Sequence, residues 1–522
     1  MNNRNLTFKP YAMEQLSLLP PSLEELIPEK HLVRVVNRVV DELDIEPLLA
    51  KYKGGGTSSY HPRMMLKVIV YAYTQKIYSS RKIEKALWEN IGFMWISGGN
   101  RPDFHTINNF RSDTLKEAVR KVFASMMELL VEEGYVKMEN YFVDGSKLGA
   151  NSNPHKVVWA KKTQKYKEKL QQQIQALLDE IEQVNERENA VYGEENLGEL
   201  GEQSELTAEK VKRKAAEINA QLKEKPLTPE QKKAMKKLEQ EDVPRLEKYE
   251  EQERILAGRN SYSKTDPQAS SLRMKEDRAA RKPLARPAYN VQIGTEGQFV
   301  VGYSLHQQAD DTSCFIPHMQ QQQFPQGKQF KNVSGDAGYG SEENYAYLEK
   351  HGMGNYLKYN TFHQEQHPPR KPELLEKMRF KSTCFPYDQD KDQFVCPAHH
   401  RMVYIETKPY QSKNGFLSER RVYECLECAA CPLKPKCTKA KGNRQMQVGF
   451  ELRRYRQQAK DNLLSEQGMA LRKLRSIEPE TVFGDVKQNM GFRRFMLRGL
   501  KKVDVEWGLV CMAHNLRKLA IQ

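Results

Sequence analysis

No run of about 18 consecutive apolar residues occurs in these 522 residues, so nothing in the sequence reads as a membrane-spanning helix. The first residues, MNNRNLTFKPY, lack the apolar core of a secretory signal. Both absences point to a cytoplasmic protein with no membrane partner. Cysteine is sparse over most of the chain: of eight, five (Cys396, Cys425, Cys428, Cys431, Cys437) fall within one stretch of 42 residues. That distribution excludes a disulfide framework and favours metal binding by the cluster. Acidic residues are in deficit, with 68 Asp and Glu against 83 Lys and Arg and a net charge of +15. Such a surplus makes a nucleic acid the first partner to consider. The length allows two or three domains with a real core.

Residues 1 to about 135 read as helical. Leu32, Val35, Val36, Val39, Val40 and Leu43 recur at threes and fours as an apolar stripe, and the Gly54-Gly55-Gly56 run ends that unit. Pro62 opens a second helix, Ser79-Ser80 can cap a third, and another follows around PDFHTINNFR. Arg81, Lys82 and Lys85 lie in the early turns of the Ser80 helix, where a helix-turn-helix reader addresses a groove or phosphates. The period then changes: Tyr141, Phe142 and Val143 form a short β-rich run ending in Asp144-Gly145. Asp144 fits both a turn and a metal ligand at a strand end.

From Thr163 to about Glu250, Lys, Glu and Gln dominate. Leu170, Ile174, Leu177, Ile181 and Val184, then Val211, Ala215, Ile218 and Leu222, predict a helical hairpin turning at Gly193 and the GEENLGELGE run. AYNVQIGTEGQFVVGYSL predicts a β-hairpin around Gly294-Thr295-Glu296-Gly297. Asp310 and Asp311 precede a helix and read as caps. Asp336 is a second strand-end carboxylate, with Gly338 and Gly340 beside it. The cysteines follow, as FVCPAHH and CLECAACPLKPKC. Paired CxxC spacing with a distant CP knuckle suits one structural Zn²⁺ on Cys396, Cys428, Cys431 and Cys437, with Cys425, His399 or His400 as substitutes.

The C-terminal stretch SIEPETVFGDVKQNMGFRRF starts a helix near Glu478, with Pro479 in its first turn. Helical spacing sets Glu480, Phe483, Gly484 and Lys487 on one face. Arg493, Arg494, Arg498, Lys501 and Lys502 follow, a charge density suited to a polyanion. In the closing helix Val503, Trp507, Val510, Cys511 and Leu516 can pack against a sheet.

DGSKLGANSN, SGDAGYGSEENY and this C-terminal stretch resemble, in order, the three acid-bearing motifs of DDE transposases from bacterial insertion sequences. SSRKIEKALWENIGFMWISGGNRPDFHTINNFR is similar to the N-terminal region of the same group. In that family the glutamate is followed seven positions on by a DNA-contacting lysine or arginine. Glu480 with Lys487 has this spacing, whereas Glu478 meets Asp485; the upstream arginine is Arg475 or Arg472. The resemblance implies an α/β fold: an RNase H-like mixed-sheet catalytic core with an all-α N-terminal domain, an inserted helical hairpin and a zinc-ribbon-like insertion. The expected boundaries are 1–135 for the helical DNA-binding domain, 136–162, 256–375 and 446–522 for the core, 163–255 for the hairpin and 376–445 for the cysteine-rich insertion.

The resemblance also implies an enzyme that binds terminal inverted repeats, cleaves the element ends and joins 3′ hydroxyls to target DNA. Asp144, Asp336 and Glu480 would hold two Mg²⁺ (or Mn²⁺) ions, with Asp144 shared, because such ions take oxygen ligands and stabilise both oxygens of an in-line displacement. Lys487, Arg493, Arg494 and Arg498, with Arg81, Lys82 and Lys85, would contact DNA. The partners are double-stranded DNA, as element ends and target, and a second copy of the chain in a homodimer or larger assembly. A nucleoid-associated location on DNA goes with this. A metal-dependent nuclease without strand transfer, or a catalytically dead DNA-binding derivative, are the alternatives.

Overall fold

The computed structural model describes residues 22–52, 59–192, 207–221, 229–274, 284–325 and 327–522, with side chains omitted at 180–192, 217–221, 230 and 231. The Gly54-Gly55-Gly56 run, the turn from Gly193 and the side chains of Ile181, Val184, Ile218 and Leu222 lie outside the described residues. The chain divides into two compact units, 1–129 with 509–522, and 130–508. Among the described residues no helix is long and apolar enough to cross a membrane.

The first unit is helical. Leu32–Glu42 forms because a valine returns to one face each turn: Val33, Val36, Val39 and Val40 are fully buried, while Leu32 and Val35 are half-buried. Pro62–Thr74 starts on a proline, whose missing N–H costs nothing there. Ser79 precedes Ser80–Glu89 without a side-chain cap. The turn before that helix is instead held by buried Arg111, which donates to the Tyr78 carbonyl (2.6 Å), Tyr73 Oη (3.2 Å) and Ser80 Oγ (3.3 Å). Asp103 caps Phe104–Asn109 by accepting from the Thr106 amide at 2.8 Å. Val510, Cys511 and Leu516, expected against a sheet, belong to this helical unit, where they are buried and Arg517 donates to the Thr74 carbonyl at 3.2 Å.

In the second unit the central sheet comprises β1 (Asn140–Gly149), β2 (Ser270–Arg273), β3 (Ala285–Glu296), β4 (Phe299–His306), β5 (Asn332–Gly335) and β6 (Gly354–Leu357). Its order is β2–β3–β1–β5–β6, with β4 also on β3. β1, β2 and β4 run antiparallel to β3, while β5 and β6 are parallel to β1, so the sheet is mixed. β1 is longer than expected. Asp144 stands within it, opposite Ile293, because the β3 ladder carries the strand on to Gly149 after the β5 pairing has ended. The β3–β4 turn is Gly297-Gln298, both at positive φ, which is the two-residue turn matching strand twist. Glu296 just before it accepts the amides of Lys137, Met138, Glu139 and Asn140 at 2.7–2.8 Å and thereby fixes the entry of β1. Gly294 leaves room for the Tyr141 ring, which a Cβ would strike.

Two insertions hang on this sheet. Among the described residues the helical one holds four α-helical segments, Ala160–Tyr192, Ala208–Gln221, Pro229–Lys237 and Val243–Leu256, where a hairpin of two was expected. Their seam buries Leu170, Ile174, Leu178, Val211, Leu238 and Leu246, with Leu177 partly buried. The cysteine-rich one is an antiparallel sheet of Tyr387–Asp388, Gln393–Val395, Arg401–Gln411, Leu417–Cys425 and Gln445–Val448, in sequence order.

Candidate active site

The parallel register of β1 on β5 pairs Phe142 with Ser334. Asp144 and Asp336 each stand two residues further on, so the pleat brings both carboxylates to the same level and face of neighbouring strands. Glu480 arrives from the helix Glu478–Gly484, and Arg475 ends the preceding helix, Glu466–Arg475. One guanidinium meets all three acids: Arg475 lies 3.6 Å from Asp336, 4.0 Å from Asp144 and 4.0 Å from Glu480. Asp144 and Arg475 side chains are about one-tenth exposed, Asp336 44% and Glu480 61%, so the cluster opens to one side. Arg475 Nε is buried with no hydrogen-bond partner.

Among the described residues no group of three or more His, Cys, Asp or Glu side chains stands close enough to hold a metal ion. At the acids the reason is visible, since a cation of the protein already occupies their midpoint. As donors, three carboxylates fit a hard divalent ion, and the guanidinium marks a place that demands positive charge. The competing acids face elsewhere: buried Glu478 accepts the Gln298 amide at 2.6 Å, and Asp485 accepts Asn489 Nδ2 at 3.1 Å. After Gly484 the helix widens into a π-turn, Asp485–Asn489. Lys487 stands within this π-turn, so the α-helical spacing that sets it on one face with Glu480 does not run unbroken to it.

Further residues border the acids that the sequence did not single out. Lys358, the first residue after β6, is held below the usual lysine range by burial and then by Arg475 and Arg472, while Asp336 and Glu480 oppose this. Its only sequence signal is its place at a strand end. Asp311, expected to cap a helix, instead accepts amide N–H groups of Asn290 (2.8 Å) and Gln292 (3.0 Å) and lies 3.8 Å from Lys147. Asp310 accepts the Ser313 amide at 3.0 Å in the turn before the helix Phe315–Gln320, which has no side-chain cap. Gly145 makes Asp311's approach possible, because a Cβ there would run into Gln292 and Asp311. Tyr339 donates to Gln292 beneath the acids; burial first, then Asp311, Asp144 and Asp336, push its hydroxyl well above the usual tyrosine range.

Much of the basic run after Glu480 is engaged with the protein's own backbone. Arg494 donates to the Ala150 (3.1 Å) and Ser152 (3.2 Å) carbonyls, Arg498 to that of Asn151 (2.8 Å) and Arg493 to that of Lys487 (3.1 Å). All three arginines stay exposed. In the helical unit Arg81, Lys82 and Lys85 are exposed on Ser80–Glu89, Arg81 over the Phe104 ring at 4.8 Å and Lys85 3.6 Å from Glu89. Trp88 of the same helix is 56% exposed, with Arg101 stacked on it at 3.7 Å.

The five clustered thiols line one cavity of about 10 Å³. Burial, together with Cys428 and Cys396 beside it, pushes the Cys425 thiol up to about 12. Cys425 is almost wholly buried and lines the same cavity as the four thiols expected to hold the ion. Cys437 Sγ accepts from Arg444 Nη1 at 2.8 Å, and Cys428 Sγ from the Arg444 amide at 3.4 Å.

Fold and site together define a mixed α/β protein with a helical N-terminal unit and a three-carboxylate site on its sheet. A family model described as transposase DDE domain matches residues 395–520, and one described as transposase domain (DUF772) matches residues 21–113. The two matches support a DDE-type insertion-sequence transposase and indicate a DNA transposase. No curated protein and no solved structure matches the chain.

Proposed function

We propose that this chain binds the terminal inverted repeats of its insertion sequence, cleaves the element ends and joins the free 3′ hydroxyls to target DNA, on an RNase H-like core. The observation that carries the reading is the meeting of Asp144, Asp336 and Glu480, far apart in sequence, on one guanidinium. These acids would hold two Mg²⁺ or Mn²⁺ ions, which when bound supply positive charge to the attacking and leaving oxygens. Arg475 offsets one of the three negative charges in the free protein and is placed to bind a phosphate oxygen once it leaves the acids. Lys358 and Arg472 add positive charge on the same side, where a scissile phosphate has to rest. Ser80–Glu89 would read the element ends through Arg81, Lys82 and Lys85, and Lys487 with Arg493, Arg494 and Arg498 would hold the backbone. Two ends have to be brought together, so the working form is a homodimer or larger assembly.

The test is cleavage and strand transfer with Mg²⁺ on a labelled element end. Asp144→Asn, Asp336→Asn and Glu480→Gln keep shape and remove ligand charge, so each should reduce both reactions to background while DNA binding survives. Double variants should be hardly worse than singles, because the acids act as one unit. Substantial cleavage by any single variant would remove that acid from the set; cleavage without joining by the wild type would leave a nuclease.

A further inference from the structure

A cavity of about 650 Å³ in the second unit lies between the segment after β6 and the cysteine-rich insertion. Lys381, Arg420, Arg453, Arg456 and Lys460 line it, against a single acid, Glu365. Two of these cations are paired, Arg420 with Glu342 at 2.7 Å and Lys460 with Glu365 at 3.4 Å. The others have no carboxylate partner among the described residues. Lys381 donates to the neutral Gln364 side chain at 3.2 Å, Arg456 Nε is buried with no hydrogen-bond partner, and Arg453 lies over the Tyr387 and Phe394 rings.

Tyr359 belongs to this cavity and to a second one of about 140 Å³ lined by Lys358, His363, Arg472 and Ala337, the residue after Asp336. A line of cations therefore runs from the acids at Arg475 through Lys358, Arg472 and Arg456 to Lys460 and Lys381. Tyr359, Phe394 and Met446 form an almost wholly buried floor, and a positively charged groove of this kind tracks the backbone of single-stranded nucleic acid. The volume falls within the range of about 300–1,000 Å³ of ligand pockets, too confined for a duplex.

We propose that this cleft binds a single strand of DNA leading away from the acid site, with its phosphates on Lys381, Arg456 and Lys460. The inference rests on the reading of the chain as acting on DNA. Cys384 provides a native probe: it lines the cleft and is exposed, while Cys314 and Cys511 are buried and the other five thiols line the separate small cavity.

The experiment measures alkylation of Cys384 in the full chain, by mass spectrometry of its peptide, against single-stranded DNA, blunt duplex, single-stranded RNA and inorganic polyphosphate. Single-stranded DNA should slow alkylation several-fold more than blunt duplex does. Lys381→Gln/Lys460→Gln, checked for an unchanged melting curve, should shift protection to higher DNA concentration and lower its salt slope by about 1.4, roughly 0.7 for each lost phosphate contact. Unchanged Cys384 reactivity at saturating single strand overturns the proposal, as does protection that the double variant leaves intact. Protection by RNA or polyphosphate but not by DNA overturns it too. A wild-type chain that binds no DNA at all would instead remove the proposed function.

Discussion

Arg475 shows how a single side chain can occupy the middle of an acidic site before any ion arrives. Its contacts at 3.6–4.0 Å are too long for tight hydrogen-bonded pairs, and Asp336 and Glu480 are about half exposed, so each is worth on the order of 1 kcal/mol. An entering divalent ion has to displace that guanidinium. Arg475→Gln should therefore bind Mn²⁺ roughly tenfold more tightly in the absence of DNA, read by titration calorimetry. Weaker Mn²⁺ binding would mean that the arginine organises the acids instead of competing for them. Asp144, Asp336 and Glu480 could be picked from the sequence because each sits in a short motif with its own glycine, lysine or spacing signal. Lys358 could not, and Asp311 reads from the sequence only as a cap, since their nearness to the acids comes from strand register and helix packing that no local pattern records.

At the scale of elements, periodicity was informative wherever one face is buried and misleading where pairing partners decide. The Leu32–Glu42 stripe is the first kind, and the extension of β1 past Asp144 along β3 is the second. A helical hairpin is the economical reading of 163–255 from periodicity; that pattern does not include Met235, Leu238 and Val243, which join the same buried cluster. The cysteine-rich sheet joins Phe385, Phe394, Met402, Tyr423 and Met446 to Cys396, Cys425 and Cys428 in one small core. A core this small would gain much from the tetrahedral Zn²⁺ that the sequence leads one to expect, since soft thiolates are the donors that ion prefers. Cys431→Ser should lose one zinc per chain by elemental analysis and loosen the insertion to proteolysis, with the central sheet still folded. Carefully purified wild type without zinc would sink this assignment.

For the whole molecule, the telling feature is that residues 509–522 are counted with 1–129. Val510, Cys511, Met512, Ala513 and Leu516 are almost wholly buried there. Without them the N-terminal helices would expose an apolar face, so a fragment ending at 129 should be poorly helical and aggregation-prone by circular dichroism and light scattering. Supplying residues 500–522 as a peptide should restore helicity. A fragment that melts cooperatively alone would show that the closing segment is dispensable.

That arrangement also sets an order of events during synthesis. Between Leu129 and Leu509 the ribosome has the whole of 130–508 to make, roughly 20–80 s of work at about 5–20 residues per second. The unit bearing Arg81, Lys82 and Lys85 thus reaches its finished form only once residues 509–522 emerge. A nascent chain stalled or truncated inside the second unit would carry an incomplete N-terminal unit, so a premature stop yields a protein defective at both ends of its sequence at once.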